Sequence, residues 1–149
     1  MRRRSRECAL QILYQLDVDG SLEQDVSKDL VDAAIEAFWK SFEAAAPADR
    51  DFTQRLVCGV VDNLSAVDGV IDGASAHWRV GRMSKVDRNL IRVAAFEIER
   101  CPDIPASVSI NEALEIAKRF SGGDSVGFIN GVLDKLAKAG ESHPEVASS

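Results

Sequence analysis

The stretch Val86-Asp87-Arg88-Asn89-Leu90-Ile91-Arg92-Val93-Ala94-Ala95-Phe96-Glu97-Ile98 decides the fold class. Val86, Leu90, Ile91, Ala94, Ala95 and Ile98 recur at helical period and form one apolar stripe. Ser84 stands just ahead with Asp87 three residues on, a capping box in which Asp replaces the more usual Glu. The same period continues outward in both directions. Upstream, Phe52, Leu56, Val60, Leu64, Val67 and Ile71 form a long stripe that predicts a single central helix starting near Asp49. A linker from Ala74 to Arg82, holding His77, Trp78 and Gly81, separates it from the helix that Ser84 opens. A second helix is predicted from about Leu22 to Ala46 on Val31, Ala34, Ile35, Phe38 and Phe42, closed by Pro47. The first runs from the N-terminal arginines to about Asp17, with Ala9, Ile12, Leu13 and Leu16 inward and Gly20 beyond its end.

Downstream, Cys101-Pro102-Asp103-Ile104-Pro105 reads as a stiff loop. Ser109 and Glu112 form a second capping box, which predicts a fifth helix with Ala113, Leu114, Ala117 and Phe120 inward. Gly122-Gly123 break it, and Asp124 is expected to cap a sixth helix bearing Phe128, Ile129, Val132, Leu133 and Leu136. Asn130-Gly131 is a strong hairpin dipeptide, but here it lies inside a helical stripe with no alternating flanks, so it reads as helix. A glycine there, like Gly59, costs about 1 kcal/mol against alanine in a helix. Close approach of another helix is the expected compensation. The chain therefore reads as all-α, a compact bundle of six to seven helices. Residues 1–140 are expected to form one domain, and 141–149 a polar tail with nothing to pack.

Composition narrows the function classes. The 149 residues are 46% hydrophobic and 28% charged, an ordinary globular balance. No apolar run is long enough to span a bilayer or to serve as a signal peptide, so no membrane role is expected. Cys8, Cys58 and Cys101 are an odd count without a C-x-x-C, which predicts reduced cysteines in a cytoplasmic protein. His77 and His143 have no ligand-spaced neighbours, and no phosphate-binding, zinc-protease or nucleophile-elbow motif occurs. No metal, cofactor or catalytic residue is expected, and the chain does not read as an enzyme.

The charge is uneven. The net charge is −6, yet Arg2, Arg3, Arg4 and Arg6 crowd into the first six residues. Without them, 14 cations face 24 anions, a balance of −10. These arginines stand at the positive pole of the first helix, where cations are disfavoured by about 0.3–1 kcal/mol each. One reading is a solvated helix end. The other is an anion site in which guanidinium forks and free N–H groups meet phosphates. The arm has no bulky apolar residues to insert into a membrane. Tyr14, Phe120 and Phe128 could stack on bases, although helical spacing makes core positions the simpler reading for the two phenylalanines. Lys118 and Arg119 end the fifth helix, where cations suit the dipole.

Five stretches, in order and spanning nearly the whole chain, resemble the NusB family of bacterial transcription antitermination factors. They are Arg2-Arg3-Arg4-Ser5-Arg6-Glu7-Cys8-Ala9-Leu10-Gln11-Ile12-Leu13-Tyr14, Leu56-Val57-Cys58-Gly59-Val60-Val61-Asp62-Asn63, and the Val86–Ile98 helix. Next come Ile104-Pro105 through Ser109-Ile110-Asn111-Glu112-Ala113 and Ala117-Lys118-Arg119-Phe120. Last is Asp124-Ser125 leading into Phe128-Ile129-Asn130-Gly131-Val132-Leu133-Asp134.

The resemblance implies an all-α domain of about seven helices that binds boxA-type single-stranded RNA of nascent ribosomal RNA transcripts. It implies a heterodimer with the tenth protein of the small ribosomal subunit, joined to other Nus factors and RNA polymerase to suppress termination. It places RNA contacts on Arg2, Arg3, Arg4, Arg6, Tyr14, Lys118, Arg119, Phe120, Asp124, Ser125 and Phe128. It places the ribosomal protein against Asp87. A small basic patch on an acidic protein binds RNA modestly by itself, so the partner is expected to raise RNA affinity. Two rivals stand beside this reading. One is a helical protein adaptor whose arginines are end effects. The other is a helper domain for ribosomal RNA methylation, acting with a separate chain.

Overall fold

The computed structural model describes residues 2–42, 48–75 and 78–141. Among them are seven α-helices and no strand: α1 (Arg2–Val18), α2 (Lys28–Phe42), α3 (Arg50–Asp62), α4 (Leu64–Ala74), α5 (Lys85–Arg100), α6 (Ala106–Phe120) and α7 (Gly123–Glu141). None is long and apolar enough to cross a membrane.

The centre of the bundle is α5, which packs against α1, α3, α4, α6 and α7. Leu90, Ile91, Val93, Ala94 and Ala95 are all buried, so the opening stripe is a wide band with neighbours nearly all round. The Ser84 hydroxyl accepts the Asp87 N–H at 3.2 Å, as the capping box requires. At Gly59 the expected close approach is real: a Cβ there would sit inside the Phe96 ring of α5. At Gly131 it is not, because nothing lies within 4 Å of where a Cβ would stand.

Four boundaries differ from the sequence reading. The long stripe from Phe52 to Ile71 is two helices, not one central helix. Asn63 divides them: its Nδ2 donates to the Gly59 carbonyl at 2.8 Å, and its backbone N–H turns to the same oxygen. Such a side chain offers the backbone an alternative to helical bonding, while the apolar period runs on undisturbed. The second helix begins at Lys28 rather than Leu22. Gly20, at φ 82°, makes the left-handed turn into a short 3-10 segment, Ser21–Glu23. Ser27 then caps α2 by accepting the Leu30 N–H at 3.1 Å. The fifth predicted helix begins at Ala106, just after Pro105, and not at Ser109. Ser109 is buried inside α6 and donates its hydroxyl to Glu97 at 2.9 Å. Asp124 lies in the first turn of α7 and does not precede it. Ala46, Pro47, His77 and the tail beyond Glu141 lie outside the described residues.

Cys8 and Cys101 are buried free thiols and Cys58 is half-buried. Burial pushes all three thiols up.

Candidate nucleic-acid interface

The N-terminal arginines are the first turns of α1, and each has a different fate. Arg2 lies over the Phe52 ring, 4.2 Å from its centre. Arg3 forms a two-pronged pair with Glu112 of α6, at 3.0 and 2.8 Å. Arg4 approaches Glu7 at 3.4 Å, and its buried Nε–H has no hydrogen-bond partner. Arg6 is only 4% exposed and grips Glu97 at 2.8 and 2.7 Å. This corrects the reading of Arg6 as a phosphate contact. Its donors are committed to a carboxylate 1% exposed, which Ser109 also serves.

Along the seam between α1 and α6 the polar groups advance together. Arg3 meets Glu112, and the buried Glu7 receives Arg119 at 3.0 Å. Arg119 remains 69% exposed and lies over Phe120, 5.4 Å from the ring centre. One prong is anchored and the rest of its fork faces outward. Lys118 is also exposed and pairs with Glu115 at 2.6 Å. The Arg3 fork holds the Glu112 carboxyl below its usual range, and Lys118 does the same to Glu115. Further along, exposed Tyr14 and Phe120 line one groove of about 460 Å³ with Leu10, Phe38 and Val86.

Val86 faces that groove, and its neighbour Asp87 faces a second cavity of about 280 Å³. Asp87 accepts hydroxyls from Ser121 at 2.7 Å and Ser125 at 2.9 Å, tying the α6–α7 turn to the start of α5. Asp124, Ser125 and Phe128 line this cavity together with Trp78, Arg82, Met83 and Ser84. The structure thus gathers Arg3, Arg4, Arg119, Phe120 and Tyr14 along one seam. Asp87, Asp124, Ser125 and Phe128 lie around the adjoining turn.

The carboxylates that organise the arginines were not among the site residues the sequence singled out. Glu7, Glu97 and Asp17 are buried. Asp17 accepts from Arg88 at 2.7 Å, Asn89 at 2.7 Å and Arg92 at 3.4 Å, fastening the end of α1 to α5. Burial alone would push Asp17 up, but the Arg88 and Asn89 hydrogen bonds and the two arginine charges hold it below the ordinary carboxylate range. Arg92 is also clamped two-pronged by Asp68, at 2.8 and 2.9 Å. Only Glu7 gave a local signal, standing three residues after Arg4; the other pairs join distant parts of the chain.

Fold and site together define a class: small all-α proteins that present guanidinium groups and aromatic rings along one helical seam and the turn beside it. The sequence matches the model of the NusB family over residues 3–138, and the chain belongs to that family. It is 46% identical over 136 residues to the transcription antitermination protein NusB of Anaeromyxobacter dehalogenans, covering 91% of this chain and 89% of that one. It resembles the solved structure of T. maritima NusB at a TM-score of 0.78 and 33% identity, over 93% and 91% of the two chains. A crystal structure of the antitermination factors NusB and NusE in complex with dsRNA shares the fold at a TM-score of 0.72 and 20% identity, over 92% of this chain and 96% of that one.

Proposed function

We propose that this protein is an RNA-binding transcription antitermination factor. It takes boxA-type single-stranded RNA from nascent ribosomal RNA transcripts, together with the tenth protein of the small ribosomal subunit. With other Nus factors on RNA polymerase, in the cytoplasm, it helps the polymerase read through terminators. The observation that carries this reading is the α1–α6 seam. There an otherwise acidic protein exposes Arg3, Lys118 and Arg119 beside Phe120 and Tyr14. Phosphate contacts position single-stranded RNA, and splayed bases stack on aromatic rings. Arg2, Arg3, Arg4, Lys118 and Arg119 serve phosphates in this reading. Tyr14, Phe120 and Phe128 stack, and Asp124 and Ser125 face base edges. Arg6 acts from below by holding α1 in place. Asp87 faces the ribosomal protein. The neighbouring NusB was crystallised with NusE and dsRNA, which supports an RNA and a protein partner for this chain too.

The test is equilibrium binding of labelled boxA-like RNA across a salt series, with and without the ribosomal protein. The expected result is a preference for boxA, weakening with salt by about 0.7 in slope per phosphate contact, and tightening with the partner. Equal binding of scrambled RNA, or no binding in either mixture, overturns the reading.

One observation favours a second reading. Arg3, Arg4 and Arg6 already face carboxylates, as in a helical protein adaptor whose arginines only hold the fold. An adaptor keeps all its affinities when Arg2, Arg3 and Arg4 are replaced together.

A further inference from the structure

Trp78 is half exposed, yet its backbone is held firmly. Its N–H donates to the Ser75 hydroxyl at 3.3 Å, and that hydroxyl donates to its carbonyl at 2.5 Å. Two residues on, the Val80 N–H donates to Asp72 at 2.8 Å, and Arg79 lies near the same carboxylate at 3.9 Å. A large indole on a braced turn would ordinarily fold inward, because exposing an apolar side chain forgoes burial free energy. Here it forms one wall of the 280 Å³ cavity whose other walls include Phe128, Arg82, Asp124, Ser125 and Asp87. Arg82 has no carboxylate partner among the described residues, unlike Arg79, Arg88 and Arg92 nearby. The cavity therefore combines two aromatic rings, an uncommitted guanidinium and hydrogen-bonding groups. Its volume is below that of drug-sized sites, which suits a single flat heterocycle.

We propose that this cavity is a nucleobase site, in which Trp78 stacks on one unpaired base of the bound RNA and Arg82 meets the flanking phosphate. The inference rests on the RNA-binding reading above. It extends that reading to two residues of the α4–α5 connection that neither the sequence analysis nor the seam had assigned. Asp124, Ser125 and Phe128 belong both to this cavity and to the proposed RNA face, whereas of the protein-facing residues only Asp87 lines it, with its carboxylate already taken by Ser121 and Ser125, and this favours an RNA occupant over a protein one. Arg82 also adds positive charge where an RNA strand leaves the seam.

The test uses tryptophan emission and RNA affinity together. Trp39→Phe leaves Trp78 as the sole tryptophan, and Trp78→Ala in the natural background reports affinity. Trp78 is half exposed and stands outside the hydrophobic core, so Trp78→Ala is expected to melt close to the unaltered protein. Adding boxA-like RNA is expected to quench Trp78 emission. Trp78→Ala is expected to weaken RNA binding by roughly fivefold to a hundredfold, as for loss of one base stack, without changing the salt slope. Arg82→Ala is expected to lower that slope. If RNA binds with no change in Trp78 emission and Trp78→Ala keeps full affinity, the nucleobase site is overturned while the RNA-binding reading stands. Loss of binding to the ribosomal protein alone in Trp78→Ala overturns it in favour of protein docking. If the unaltered protein binds no RNA, both readings fall together.

Discussion

Arg3 and Arg6 lie one helical turn apart on α1, and each makes a two-pronged pair with a glutamate far away in sequence. Their surroundings make them opposites. The Arg6 side chain is 4% exposed and its partner Glu97 1%, with Ser109 completing the carboxylate's shell. The Arg3 side chain is 51% exposed, and its partner Glu112 is 21% exposed and also lies 3.7 Å from Arg6. A buried pair is hard to break because removing one member strands the other without water. An exposed pair contributes little and exchanges readily with other anions. One short arginine run therefore contains a structural fastener and a replaceable contact, and burial alone sorts them.

The largest effect that bears on this contrast is at Arg6. Arg6→Ala leaves Glu97 buried and unpaired, and is expected to cost about 3–5 kcal/mol in urea unfolding. Replacing Arg6 and Glu97 together by Met and Leu is expected to recover much of that loss. A cost for Arg6→Ala no larger than that for Arg3→Ala would break the comparison.

Acid is the next largest lever. Asp17, Glu112 and Asp103 are all held below the ordinary carboxylate range, Asp103 to about 2 by the Arg55 fork at 3.1 and 2.7 Å. A lowered folded value means that each contribution is complete above the unfolded value, about 4. It is then lost as pH falls through the folded value. Stability measured by urea midpoints is accordingly expected to fall from about pH 5 toward pH 2, and to be flat from pH 6 to pH 8. A midpoint that rises on acidification would contradict the assignment.

Arg3→Ala is expected to change stability by less than about 1 kcal/mol. It is expected to return Glu112 toward its ordinary titration range in an NMR pH series. In RNA binding it should lower the salt slope by about 0.7. Glu7→Gln sharpens the contrast most finely, because a buried carboxylate there aims an exposed arginine. Removing an acid near RNA would tighten binding by charge alone. If Glu7 instead orders Arg119, binding weakens by about two- to tenfold, and the effect reverses sign in an Arg119→Ala background.

Helix identity was legible wherever the apolar period was long, as in α5 and α7, because burial of one face fixes both period and helix. The break at Asn63 was not, since Leu64, Val67 and Ile71 keep the same period on the far side of it. The start of α6 was misplaced because Ser109 and Glu112 satisfy a capping pattern locally while their side chains are taken by Glu97 and Arg3. The arginines were legible as a cluster and their partners were not, because Glu97 and Glu112 lie 91 and 109 residues away. Trp78 stood out in a short linker, but its cavity exists only once the α6–α7 turn comes beside the start of α5.

Those separations also set an order of events during synthesis. The side chains that complete α1 are Arg88, Glu97, Glu112 and Arg119, all from the later half of the chain. The helix made first is thus the last to have its charges answered. An all-helical domain ordinarily folds quickly on local contacts, but here the closing contacts are long-range, and such contacts slow folding. Arg6 waits for Glu97 of α5, and Arg3 waits longer still, for Glu112 of α6.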